Sequence, residues 1–250
     1  MPFWIIIASA FVIVGAWAGT AGGQPSEKTR IGHAVVVGAS SAGRQTACMS
    51  CHGINGQGDG VALFPRLAGQ YSGYLAKTME DYASGRRQNE IMTPIAKQLS
   101  GEERQAVAIY YAEQSPSLDK PVAVRGYAQA IQRGGVLSAI GDRDLGIQAC
   151  QNCHGPEGRG LPPIYPYLAG QHEAYITQQL RFWKEGRRGG DEQDIMRAIA
   201  GRMTDQDIAA VAAYFANLPP PAPAEQIEPT AWAEDDRATG AMGSAPGGQQ

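Results

Sequence analysis

Apolar residues recur at helical spacing over Tyr71 to Ser84 and again over His172 to Glu185, and each run stops at a glycine, Gly85 or Gly186. Two Ala-rich apolar runs follow, AVAIYYA from Ala106 and AVAAYFA from Ala210. Each is preceded by a hydroxyl residue with an acid three positions on, Ser100 with Glu103 and Thr204 with Asp207, the pattern of a reciprocal helix N-terminal cap. All four stretches are predicted as helices. A further helix is expected before each cysteine motif described below, clearer over Ala123 to Arg133 than in the Val-rich stretch after His33. No stretch alternates apolar and polar residues for the length of a strand, so the pattern predicts an all-α chain.

The two ends follow other rules. From Phe3 to Ala21 every residue is apolar or small, no charge occurs before Glu27, and Ala16-Trp17-Ala18 offers a small-x-small cleavage site. Residues 1–21 are therefore expected to be a signal peptide or a retained membrane anchor. No Lys or Arg stands near Met1, and the run is close to the roughly 20 residues that cross a bilayer, so both readings stay open. Residues 219–250, rich in Pro, Ala and Gly, cannot bury enough apolar surface to order themselves and are expected to form a disordered tail. That tail holds five acids and one arginine, while the rest of the chain is close to charge balance. No basic patch points to nucleic acid.

The middle of the chain is a duplication. PRLAGQ, Pro65 to Gln70, matches PYLAGQ, Pro166 to Gln171, and Tyr74 matches Tyr175. GRR at Gly85 to Arg87 matches GRR at Gly186 to Arg188, and NEIMTPIAKQLS from Asn89 matches QDIMRAIAGRMT from Gln193. Each copy spans about 100 residues, the ordinary size of an independently cored domain.

All four cysteines lie in two copies of one pentapeptide, CMSCH from Cys48 to His52 and CQNCH from Cys150 to His154. Two thiols three positions apart can add to the two vinyl groups of one haem, and the histidine that follows then lies under the iron. A Cys₄ zinc site brings its pairs within about 20 residues of each other in sequence, far closer than Cys51 and Cys150, and a thioredoxin-like site needs neither a second copy nor a following histidine. The chain is expected to carry two covalent haem c groups, held by Cys48 and Cys51 and by Cys150 and Cys153, with His52 and His154 as proximal iron ligands.

A second ligand for each iron should come from positions that match between the copies. Of Met49, Met79, Met92, Met196, Met203, His33 and His172, only Met92 and Met196 match: Met79 faces Leu180, Met203 faces Leu99 and His172 faces Tyr71. Met49 lies between the two cysteines, on the wrong side of the ring. Met92 and Met196 are therefore the expected distal ligands.

On these residues, from about Ile31 to Leu218, the chain resembles the two-haem cytochromes of the cytochrome c4 family. The resemblance implies two tandem all-α cytochrome c domains, 31–115 and 123–218, packed about a pseudo-twofold axis and joined by a linker, 116–122, marked by Pro116 and Pro121. It implies that the carbonyls of Pro65 and Pro166 accept hydrogen bonds from His52 and His154. Arg86, Arg87, Arg187 and Arg188 are candidates either for pairing with haem propionates or for solvated surface. Saturated His and Met ligation implies an electron carrier and not an enzyme, passing electrons from a quinol-oxidising complex or a dehydrogenase to a terminal oxidase or reductase. The alternative is a fixed dihaem subunit of a membrane redox complex; a dihaem peroxidase would need an open iron position. Covalent haem is attached outside the cytoplasmic membrane, so the expected location is periplasmic, with anchoring left open.

Overall fold

A computed structural model describes residues 25–40, 43, 47–117 and 128–222. The signal or anchor segment, most of the linker and the tail beyond Ala222 lie outside the described residues. The described residues form helices, short turns and a few isolated bridges, without a strand. The first half runs α1 (Glu27–Val36), α2 (Met49–His52), α3 (Ser72–Ser84), α4 (Met92–Gln98) and α5 (Gly101–Ala112). The second repeats the order with α6 (Ala128–Ala139), α7 (Gln151–His154), α8 (Glu173–Lys184), α9 (Ile195–Arg202) and α10 (Asp205–Ala216).

Local chemistry sets these bounds. Both reciprocal caps are formed: Ser100 Oγ accepts from the Glu103 N–H at 3.1 Å, and Thr204 Oγ1 accepts from the Asp207 N–H at 3.0 Å. The acid of each pair reaches back to the cap residue's own N–H. A cap of this kind is worth about 1 kcal/mol. α3 ends on Gly85 in the left-handed conformation, φ 85°, which a side chain would oppose.

The helices expected before the cysteine motifs are displaced. The first lies at Glu27–Val36 and includes His33 instead of following it, because Ser26 Oγ caps the N–H of Thr29 and the valines form its buried last turns. Val35 and Val36 are fully buried, and Gly38, φ 73°, ends the segment. The second runs over Ala128–Ala139, past the expected end at Arg133, and residues 123–127 of the expected stretch lie outside the described residues.

In each half the first helix crosses the last at backbone contact. A Cβ on Gly32 would stand 2.3 Å from the carbonyl oxygen of Ala106, and one on Gly134 would stand 2.1 Å from that of Ala210. Only glycine permits either approach. Around these crossings lie two separate cores. One holds Val35, Val36, Leu75, Tyr82, Leu99, Val107 and Tyr111, the other Leu137, Ile147, Leu180, Trp183, Ile208 and Phe215.

The halves meet through contacts that repeat with the roles exchanged. The Gln70 side chain bonds the main chain of Tyr167, and its counterpart Gln171 bonds the main chain of Arg66, donating to the carbonyl at 2.9 Å and accepting from the N–H at 2.9 Å. Tyr71 donates to the Arg159 carbonyl at 3.0 Å, and its counterpart His172 places Nε2 2.9 Å from the Gln57 carbonyl. Arg87 donates to the Tyr175 hydroxyl, Arg188 donates to the Tyr74 hydroxyl, and the two arginines form an antiparallel bridge. Swapped pairs of this kind are what a pseudo-twofold axis between the halves produces.

Candidate haem sites

α2 and α7 are single helical turns that present the cysteine motifs. Cys48 and Cys150 sit at their starts, Cys51 and Cys153 one turn on, and His52 and His154 at their ends, each followed by a glycine with positive φ. His52 Nδ1 donates to the Pro65 carbonyl at 3.1 Å, and His154 Nδ1 donates to the Pro166 carbonyl at 2.9 Å. That bond fixes the tautomer and leaves Nε2 with its lone pair available. Burial holds both imidazoles below their ordinary pKa, only partly offset by these carbonyls, so each ring stays neutral and able to bind a metal. Burial also pushes the Cys48 and Cys150 thiols up to about 11, which keeps them as thiols before attachment. Phe64 packs against His52 and Tyr165 against His154, with ring centroids 6.1 and 6.4 Å apart.

A cavity of about 710 Å³ runs between the halves and is lined by all four cysteines and by His52, His154, Met92 and Met196. Met92 is the first residue of α4 and Met196 the second of α9; both are half-buried, and each packs on its own core. Met79 and Met203 reach the same cavity but are buried core residues, 9% and 4% exposed. The other candidates stand apart. His33 is exposed on α1 and packs against Tyr110, His172 is taken up by the Gln57 carbonyl, and Met49 is 41% exposed.

The arginines divide. Arg86 and Arg187 are exposed and pair with Asp81 and Glu185. Arg87 and Arg188 are neither solvated nor simple surface groups: they lie in the interface over the rings of Tyr82 and Trp183, both 4.7 Å from the ring centroid. They line the cavity, as does the buried Arg66. The Nε atoms of Arg66 and Arg188 are buried without a hydrogen-bond partner. An apolar cavity with paired thiols, neutral imidazoles and unfilled guanidinium donors fits a flat apolar macrocycle bearing carboxylates. Arg66 has Tyr167 as its counterpart, so the duplication in the sequence does not single it out.

The family model described as Cytochrome c matches residues 38–114 and 144–219. The chain is 42% identical over 173 residues to a thiosulfate dehydrogenase electron acceptor of Thiomonas intermedia, covering 69% of this chain and 79% of that one. Its fold is similar to the reduced recombinant cytochrome c4 of Pseudomonas stutzeri, with TM-score 0.66, 30% identity, and coverage of 76% of this chain and 98% of that one. It is also similar to the as-isolated thiosulfate dehydrogenase of Marichromatium purpuratum, with TM-score 0.68, 34% identity and 76% of this chain matched. The match spans 40% of that longer chain.

Proposed function

The chain belongs to the cytochrome c family as a two-haem member of the cytochrome c4 group, and on that premise we propose that it is a periplasmic electron carrier that accepts electrons from a thiosulfate-oxidising dehydrogenase. Two tandem cytochrome c domains carry two covalent haem c groups. In our reading Cys48 and Cys51, and Cys150 and Cys153, would hold them, with His52 and Met92, and His154 and Met196, as the residues that would bind the irons. A haem held by imidazole and thioether cycles one electron at a raised potential.

The observation that carries this reading is the repeated arrangement about one cavity: a neutral histidine fixed by a proline carbonyl, with the matching methionine lining the same cavity, in both halves. Pro65 and Pro166 set the ring orientation and raise the basicity of Nε2. Met92 and Met196 complete each coordination sphere, leaving no site for substrate, which supports a carrier over a peroxidase. The shared cavity supports electron exchange between the halves. The choice of a dehydrogenase over a quinol-oxidising complex as donor rests on the likeness to a protein named for accepting electrons from thiosulfate dehydrogenase. Export is supported by the attachment chemistry; among the described residues no helix is long and apolar enough to cross a membrane.

The likeness to part of a longer thiosulfate dehydrogenase chain favours a second reading, a subunit held permanently beside its donor. Mixing the oxidised holoprotein with a purified thiosulfate dehydrogenase and thiosulfate should reduce both haems, two electrons per chain. Reduction by a quinol-oxidising complex alone would exclude this donor. Co-purification with the dehydrogenase through size-exclusion chromatography would favour the fixed subunit.

A further inference from the structure

The duplication is imperfect at one place beside the methionines. Arg87 precedes Met92 by five residues, whereas Arg188 precedes Met196 by eight. The extra length is the segment Gly189–Asp191, which lies on the N-terminal half. Lys77 of α3 donates to the Gly190 carbonyl while pairing with Asp81 at 2.7 Å. Gly190 has φ 96°, and a Cβ there would stand 2.6 Å from the Asp81 carboxylate; one on Gly189 would stand 3.0 Å from the Arg86 carbonyl. Gly190 is therefore seated where a side chain would clash and strain the backbone, and Gly189 where one would be tight.

From that seat Asp191 reaches back to the ligand helix. Its Oδ2 accepts the Met196 N–H at 2.6 Å, and its Oδ1 is buried without a hydrogen-bond partner. Between them Gln193 and Asp194 adopt left-handed conformations, φ 59° and 54°, which non-glycine residues hold only when their surroundings impose it. The first half reaches the same end locally: Asn89 Oδ1 accepts the N–H groups of Ile91 and Met92 at 2.9 and 2.8 Å, with no left-handed residue between. The neutral amide of the first domain is matched in the second by that domain's own Asp191 carboxylate, on a strut docked against the first.

We propose that Asp191 is a positioning residue for Met196, held in place by the docking of Gly190 on Lys77 and Asp81, so that the second haem's ligand set answers to the domain interface while the first is set within its own domain. The proposal rests on Met196 as the distal ligand. It gives Asp191 two separable roles. Its oxygen anchors the Met196 main chain, and its charge, in a half-buried site, favours the more positive ferric state.

The test is a potentiometric titration of the full holoprotein, with the methionine-methyl NMR signals of the reduced protein assigned by the one that disappears in Met92→His. Asp191→Asn keeps an acceptor oxygen and removes the charge, so the potential of the second haem should rise, its methyl signal should persist and the first haem should not move. Gly190→Ala should weaken or shift the second methyl signal and leave the first in place. The proposal is overturned if Asp191→Asn moves both haems alike or neither, or if Gly190→Ala leaves the second signal unchanged. Met196→His distinguishes the two levels. If it removes the second signal and the Asp191 and Gly190 variants do nothing, the strut fails and the ligand assignment stands; if it removes nothing, both fall.

Discussion

Gln70 and Tyr167 close a two-bond ring across the domain interface: Gln70 Nε2 donates to the Tyr167 carbonyl at 3.1 Å, and Gln70 Oε1 accepts the Tyr167 N–H at 3.1 Å. Tyr167 directly follows Pro166, whose carbonyl orients His154, and the mirrored pair of Gln171 and Arg66 stands in the same relation to Pro65 and His52. Each domain thus steadies the loop of the other that carries Pro65 or Pro166, and the interface is one residue from the carbonyls that orient the proposed iron ligands.

Gln70→Ala would leave both main-chain groups of the buried Tyr167 without partners. A buried unsatisfied group costs about 1–3 kcal/mol and two are created, so a loss of about 2–6 kcal/mol is expected in guanidinium unfolding monitored by tyrosine and haem absorbance. The second haem's spectrum should change more than the first. A loss within error of zero would mean that the interface does not depend on this pair.

Gly134→Ala separates propensity from packing. On an exposed helix the change stabilises by up to about 1 kcal/mol, but here the added methyl would meet the Ala210 carbonyl oxygen. Destabilisation of about 1–3 kcal/mol is expected, with Gly32→Ala behaving alike in the first domain. A raised unfolding midpoint would contradict the helix crossing.

Tyr74 should titrate early. Burial alone would raise its phenol, but the guanidiniums of Arg188 and Arg87 outweigh it and bring the pKa down from 10.0 to about 8. The unfolded chain then binds more protons than the folded one between about pH 8 and 10, so this group's contribution to stability is complete above pH 10 and is lost as pH falls through about 8. A phenolate absorbance step near pH 8, absent from Tyr74→Phe, should mark a native holoprotein whose Arg87 and Arg188 are free of haem carboxylates. A native protein without that step would show that the arginines are neutralised by another partner.

Much of this architecture is legible in the sequence because it is written twice. The register that pairs Met92 with Met196 separates them from Met79 and Met203, which share the cavity and the side-chain chemistry. The same register, extended to the N-terminal side, pairs Gly32 with Gly134, a match visible in the sequence but outside the motif-bearing segments. What the duplication conceals is asymmetry. Arg66 has tyrosine as its counterpart, and Asp191 lies in residues that the first copy lacks, so neither is found by matching. The helix at Glu27–Val36 was displaced for a different reason: its valines look like an approach to the cysteine motif, yet the cap at Ser26 starts the helix earlier and the chain then needs a connecting segment to reach Cys48.

Haem content tests the attachment sites. Replacing Cys150 and Cys153 with alanine should leave one covalently bound haem per chain after denaturation, retained by Cys48 and Cys51. Two retained haems would refute the assignment.

The carrier reading depends most directly on both irons being closed by methionine. The reduced holoprotein is titrated with carbon monoxide at neutral pH while the absorption band of the sulfur-to-iron bond is followed in the oxidised protein, for the natural chain and for Met92→His and Met196→His. Each substitution should remove about half of the band and lower the potential of one haem, and the natural chain should bind carbon monoxide slowly or not at all, because an internal ligand must first leave. Rapid stoichiometric binding at one haem of the natural chain, or a band untouched by both substitutions, would contradict a saturated two-haem carrier.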